Sequence, residues 1–154
     1  MIGKFLVGNF LVSSFTYKKL QDRVTVTDNL TQKGSSLLNF QSLQGTWQNT
    51  NTNSQGIVKV ILAVKNDQLT IQVFGAEQPT LQDWGIVAVD DVYSSSISSQ
   101  QAISYTAQYQ FDFKDVELQV NLSKGLMIIS AHHVFHDGSG RANYFCREFF
   151  QKID

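Results

Sequence analysis

The sequence predicts an all-β fold, specifically an eight-stranded antiparallel up-and-down β-barrel. Three observations support this prediction. Residues 103–113 alternate between apolar and polar side chains, which is the period of a strand with one buried face. Turn residues recur about every 8–12 positions, the spacing typical of an all-β meander. No long stretch has the period of an amphipathic helix. The 154 residues are enough for one domain with a core of its own.

We predict eight strands from residue 45 onward. Short connections at 66–68, 114–115, 123–125 and 137–140 predict hairpins between neighbouring strands. A closed barrel leaves no strand edge unpaired, so we favour it over the alternative, a sandwich of two sheets. The predicted strands are residues 46–49, 57–64, 69–74, 84–92, 102–113, 116–122, 126–135 and 141–150.

The first part of the chain does not follow this pattern. Apolar residues at 5–15 have no clean period. Such residues need cover, so we expect an N-terminal extension that packs on the barrel or against a partner subunit. The predicted division is therefore an extension at residues 1–44 and a barrel domain at residues 45–154.

Composition excludes several function classes. The net charge is −1 and charged residues make up 16%, with no basic stripe, so we expect no nucleic-acid partner. No apolar run approaches the roughly 20 residues that span a bilayer, so we expect no membrane partner. The single cysteine, Cys146, forms no internal disulfide and no cysteine-based zinc site. It fits a reducing compartment, and we expect a cytoplasmic protein.

The first predicted strand carries a short motif. Residues 45–49 read Gly-Thr-Trp-Gln-Asn. A Gly-x-Trp at this position resembles the calycins, which include lipocalins and fatty-acid-binding proteins, and the Trp-x-Asn extension resembles avidins. The resemblance implies that Trp47 closes one end of the barrel and that an arginine of the last strand, Arg141 or Arg147, packs over it. A guanidinium stacks well on an indole face.

A second resemblance covers roughly residues 43–150. The chain is similar to a group of small bacterial proteins without assigned activity, through Asp83-Trp84-Gly85 and the Asp-Gly-Ser-Gly-Arg of residues 137–141. This resemblance implies no function.

The rings on one face of residues 103–113 are either core or the lining of a ligand cavity. For Trp84 the alternatives are a ligand contact at the barrel mouth beside Asp83 and a core tryptophan next to a turn-capping aspartate. One or two polar groups commonly orient a ligand among apolar walls, and we expect His132 or Arg141 in that part. The predicted lining is Trp47, Trp84, Tyr105, Tyr109 and Phe111.

The histidines do not predict a metal site. His132 and His136 would share a face on a helix, but their surroundings predict a strand, along which four residues span about 13 Å. The loop at 137–140 offers one carboxylate, too few for calcium, and no helix follows it to bind phosphate. We interpret Cys146 as a small buried residue and not as a nucleophile. We expect no metal and no cofactor.

Three hypotheses about function follow. The leading one is binding of an apolar or aromatic small molecule inside the barrel. The second is a cofactor-independent isomerase or cyclase on the same barrel, whose mark would be a histidine or acid with a strongly shifted pKa in the cavity. The third is a non-catalytic assembly module that forms a homo-oligomer. The sequence leaves open whether the protein is an enzyme.

Overall fold

The computed structural model describes residues 38–154 and two short strands near the N-terminus, β1 (Leu6–Val7) and β2 (Phe10–Leu11). These two strands pair antiparallel with each other. They belong to a compact unit of their own, Met1–Gly34, whereas the second unit is Ser35–Asp154. The predicted packing of residues 1–44 on the barrel or on a partner falls mainly outside the described residues.

The second unit is one antiparallel sheet of nine strands, as the all-β prediction requires. Its described residues contain no helix, and the described part of the chain accordingly has no helix able to cross a membrane. The strands are β3 (Gly45–Asn49), β4 (Ile57–Lys65), β5 (Gln68–Gly75), β6 (Gln82–Ala88), β7 (Asp91–Ser94), β8 (Ala102–Gln110), β9 (Lys114–Ser123), β10 (Leu126–Phe135) and β11 (Tyr144–Lys152).

The sheet curls into a half-barrel, so the prediction of a closed eight-stranded barrel is wrong. Its strand order is β6-β5-β4-β3-β11-β10-β9-β8-β7, which leaves β6 and β7 as the two edges. The sequence indicated one strand over residues 84–92, but this segment divides: β6 pairs with β5, and β7 pairs with β8. The change occurs between adjacent residues, because Val89 N–H donates to Leu69 O and Asp90 N–H donates to Thr106 O.

The predicted hairpins are confirmed along most of the chain. β4 pairs with β5, β8 with β9, β9 with β10 and β10 with β11. The β4–β5 turn places Asn66 and Asp67 at φ values of 50° and 60°, the pair of left-handed residues that a tight hairpin turn requires. The last strand begins at Tyr144, three residues later than predicted, so Arg141 lies in the preceding loop.

The inner face of the sheet is filled by the protein's own side chains. Along β8 the buried residues are Tyr105, Ala107 and Tyr109, and neighbouring strands contribute a similar alternating set. Tyr105 is fully buried, and its hydroxyl donates to Met127 Sδ at 3.7 Å. The rest of the core includes Leu43, Trp47, Val60, Leu62, Ile71, Val73, Val116, Leu118, Val120, Met127, Ile129, Ala131 and Phe150.

Candidate functional site

A cleft of about 640 Å³ opens at one end of the half-barrel. Its walls are the β3–β4 loop, the end of β5 with the start of β6, and the adjoining ends of β9, β10 and β11. Small-molecule sites commonly enclose roughly 300–1,000 Å³, so the cleft has the size of such a site. It is lined by Asn51, Asn53, Ser54, Gln55, Gly56, Ile57, Gly75, Ala76, Gln82, Trp84, Lys114, His133, Tyr144, Cys146, Arg147 and Glu148.

A continuous row of rings begins at Trp84 and ends at Tyr144 and His133, which line the cleft, and we call it the aromatic arc. Trp84 meets Tyr109 and Phe111 edge-on, at centroid distances of 5.5 and 5.4 Å. The row ends where His133 stacks on Tyr144, with centroids 4.1 Å apart and planes 8° apart. Between these ends, neighbouring rings lie 6.1 to 6.5 Å apart. The members of the arc are Trp84, Tyr109, Phe111, Phe113, Phe135, Tyr144 and His133.

Tyr109 holds the arc to the opposite edge of the sheet. Its hydroxyl lies 3.1 Å from Ile71 O and 3.0 Å from Gly85 O, so one O–H is shared between carbonyls of β5 and β6. Burial raises the pKa of Tyr109, which stays a neutral donor. This contact joins β8 to the segment that carries Trp84, although β6 and β8 are not neighbours in the sheet.

Lys114 places a positive charge beside the arc. Its Nζ lies 5.5 Å from the Trp84 ring centroid, 5.7 Å from that of Phe111 and 5.6 Å from that of Phe113. The two ion pairs among the described residues are His136 with Asp115 and Arg141 with Asp137, so no described carboxylate pairs with Lys114. Burial, followed by the charge of Arg141, lowers the pKa of Lys114.

His133 is 4% exposed and lies on the same face as Lys114. Burial, followed by the charges of Lys114 and His132, lowers the pKa of His133 to about 4, so its imidazole is neutral at neutral pH. Its Nδ1 lies 3.4 Å from Lys114 Nζ. Because an ammonium can only donate, Nδ1 accepts, and the ring proton is assigned to Nε2.

Cys146 lies beside His133, with Sγ 4.0 Å from Nε2. Burial, followed by the charge of Glu148, raises the pKa of the Cys146 thiol. The pair is therefore a thiol next to a neutral imidazole at neutral pH. Cysteine nucleophiles act as thiolates, so this arrangement does not activate Cys146 for attack.

Glu148 occupies the part of the cleft nearest the β3–β4 loop. Its carboxylate accepts hydrogen bonds from Ser54 Oγ and, at 3.3 Å, from Ile57 N–H. Ser54 Oγ also accepts from Gly56 N–H at 3.1 Å. A Cβ at Gly56 would lie 3.0 Å from Glu148 Oε2, so the glycine permits this close approach. These bonds fix the loop against β11 and orient the carboxylate.

The residues predicted as ligand contacts are separated by the fold. Trp84 lines the cleft, and Tyr109 and Phe111 pack against it. Tyr105 is enclosed in the core, and Trp47 is 3% exposed with its Nε1 donating to Leu43 O. Contact of these residues with a ligand stays a prediction.

Neither of the two predicted polar groups lines the cleft. His132 is on the outer face of β10, where its ring is 5.1 Å from that of Phe145. Arg141 pairs with Asp137, and its guanidinium lies 4.2 Å from the Phe135 ring centroid. The cation over Trp47 is Lys152 at 5.7 Å, and neither candidate arginine has that place.

Sequence reasoning missed Lys114, His133 and Glu148. For the histidines a signal was available: His133 shares its strand phase with Ile129 and Ala131, whereas His132 shares its phase with the polar Ser130. Lys114 and Glu148 carry no such signal, because each is a charged residue at a strand position that could equally face solvent.

Among the described residues, no group of three or more histidine, cysteine, aspartate or glutamate side chains is placed to hold a metal ion. No known protein family and no curated protein matches the sequence. The antiparallel half-barrel is compatible with the barrel that the resemblance to calycins implies.

Proposed function

We propose that this protein is a calycin-like binding protein whose ligand is a small planar molecule, held in the end cleft. The observation that carries the proposal is a cleft of about 640 Å³ in which Trp84 and Tyr144 stand among mostly polar side chains. Ligand sites commonly combine apolar surface for affinity with polar groups that orient the ligand. The cleft replaces the barrel interior as the site, since Tyr105 and its neighbours fill that interior.

The aromatic arc supports a planar ligand. Rings prefer offset-stacked or edge-to-face neighbours at centroid distances of about 4.5–7 Å, and the arc already repeats that spacing between its own members. A planar guest can continue the same arrangement. Burial of the apolar surface of this molecule then contributes about 25 cal/mol per Å² to the binding free energy.

The experiment is a titration with a neutral fluorescent probe, N-phenyl-naphthylamine. Binding is read from the emission of the probe itself, so the readout does not depend on the tryptophan that the variant removes. We expect saturable binding that weakens by up to about tenfold in Trp84→Ala, since one aromatic contact is worth about 0.5–1.5 kcal/mol.

The matched control is Phe149→Ala, which removes a ring of the outer face that is 44% exposed. This variant is expected to bind the probe as the unchanged protein does. Absence of saturable binding, or equal loss in both variants, would overturn the proposal.

A second candidate function rests on His133. A buried histidine with a pKa lowered to about 4, 3.4 Å from an ammonium, is the feature expected of an isomerase that moves protons without a cofactor. In that reaction Nδ1 exchanges Lys114 for the substrate and accepts a proton from it, while Lys114 donates a proton to the substrate. The proton then returns from the imidazolium to the lysine amine. Deuterium incorporation into planar ketones in heavy water, followed by NMR, tests it. Enzyme-dependent exchange that His133→Gln abolishes supports the candidate, and absence of exchange rejects it.

A further inference from the structure

We infer that the ligand of the end cleft is a planar organic anion, whose negative group binds Lys114 while its rings lie against the aromatic arc. The inference rests on the proposed function and names the chemical class of its ligand. Three observations support it: the missing carboxylate partner of Lys114, the neutral state of its polar neighbour and the position of the rings around it.

Lys114 is a partly buried cation that no described carboxylate compensates. Buried charges are usually paired, because removal of a charge from water costs several kcal/mol. Other cations near the arc differ in this respect. Arg141, like Lys114, contacts rings of the arc, in this case Phe113 and Phe135. Unlike Lys114, it also pairs with a carboxylate, that of Asp137.

The polar neighbours of Lys114 do not neutralise it. His133 offers Nδ1 as an acceptor but carries no negative charge. Arg141 lies near enough to lower the pKa of Lys114, but its own charge is paired with Asp137. Glu148 is the carboxylate that lines the cleft, and its two oxygens already accept from Ser54 and Ile57. Because Lys114 and Arg147 line the cleft with this one carboxylate, its lining has an excess of positive charge.

The surrounding rings select the rest of the ligand. The ammonium lies within 5.7 Å of three ring centroids, so a group that reaches it also lies beside those rings. A small inorganic anion would satisfy the charge and leave the rings exposed. A neutral planar molecule would cover the rings and leave the ammonium without a partner. A planar anion satisfies both, and an organic cation would be repelled.

The test uses two probes with one ring system. Anilinonaphthalene sulfonate differs from N-phenyl-naphthylamine by the sulfonate group alone. We expect the protein to bind the sulfonate probe at least about tenfold more tightly, since a charge-assisted hydrogen bond supplies a gain of that size. In Lys114→Met the preference for the sulfonate probe over the neutral probe is expected to fall about tenfold to hundredfold.

Lys65→Met is the matched control, because Lys65 is an exposed lysine at the end of β4 and lies outside the cleft. It should keep the preference for the sulfonate probe. Competition in the unchanged protein provides a measurement that needs no variant: naphthoate should displace the sulfonate probe about tenfold better than naphthamide.

The outcomes separate the two proposals. Equal affinity for both probes, or an unchanged preference in folded Lys114→Met, overturns the anion inference and leaves planar-ligand binding intact. Equal displacement by naphthoate and naphthamide overturns it as well. If neither probe binds, the proposed function fails and the inference fails with it.

Discussion

The middle of the half-barrel and its open end are built from the same strands but differ in their side chains. In the middle, β8, β9 and β10 contribute Tyr105, Leu118 and Ile129, which exclude water and have no charged neighbour in the core. At the end, β9 and β10 contribute Lys114 and His133 beside the aromatic arc. One strand therefore supplies a core residue at one position and a proposed binding group a few residues away. Four predictions test this division.

The largest expected effect is on the core. Tyr105→Ala should lower the free energy of unfolding by about 3–5 kcal/mol, because it leaves a cavity among fully buried neighbours. Tyr105→Phe is the control and should cost less than about 1.5 kcal/mol, since the hydroxyl donates only to a sulfur at 3.7 Å. Urea unfolding measures both. A loss under about 1 kcal/mol in the alanine variant would show that the middle is not tightly packed.

The next effect is a dependence of stability on pH. His133 has a pKa of about 4 in the fold and an ordinary value of 6.5, so the fold favours the neutral ring. The contribution of His133 to the free energy of unfolding is fully present above pH 6.5. It is lost as the pH falls towards 4, and the loss amounts to up to about 3 kcal/mol. The titratable groups that face it are Lys114, Cys146 and Tyr144, and the neighbouring His132 acts from the outer face of the same strand.

The variant that checks this is His133→Phe, which keeps a ring beside Tyr144 and removes the titration. Its free energy of unfolding should change less between pH 7 and pH 4 than that of the unchanged protein. His136→Gln is the control, because His136 is exposed and pairs with Asp115. Parallel pH curves for His133→Phe and the unchanged protein would contradict the assignment.

A smaller effect is expected at Glu148. Glu148→Gln keeps the size of the side chain but replaces one acceptor oxygen with a donor, so Ser54 or Ile57 loses its partner. We expect a loss of about 1–2 kcal/mol in thermal or urea unfolding. Glu117→Gln on the exposed face of β9 should stay within about 0.5 kcal/mol. Equal effects of the two substitutions would mean that Glu148 does not hold the β3–β4 loop.

The smallest effect is expected on the outer face. Phe149→Ser removes a ring that is 44% exposed, although its neighbour Phe150 is fully buried. The free energy of unfolding should change by less than about 1 kcal/mol, compared with about 3–5 kcal/mol for Phe150→Ala. The third functional hypothesis, an assembly module, would use exposed surface such as this ring. A large loss in Phe149→Ser together with a change in light scattering would indicate a homo-oligomer.

Strand positions were predictable because the direction of a side chain along a strand is a local property. The alternation of residues 103–113 identified Tyr105, Ala107 and Tyr109 as one buried row, and the structure confirms them. The strand itself ends at Gln110, and the next residues of the row continue as part of the aromatic arc.

The path of residues 82–94 was not predictable from alternation. A strand pattern shows which side chains are buried, but not which neighbour accepts the backbone hydrogen bonds. Here the partner changes from Leu69 to Thr106 between Val89 and Asp90, which divides one expected strand into two edges and leaves a half-barrel.

The amino-acid sequence by itself determined the all-β class, the hairpins and the buried row of Tyr105, Ala107 and Tyr109, because these depend on residues close together in the chain. Only the tertiary structure decided that Trp84, Lys114, His133 and Glu148 share one cleft. They come from four strands whose ends meet when the sheet curls, and that curvature depends on long-range pairing that local patterns do not specify.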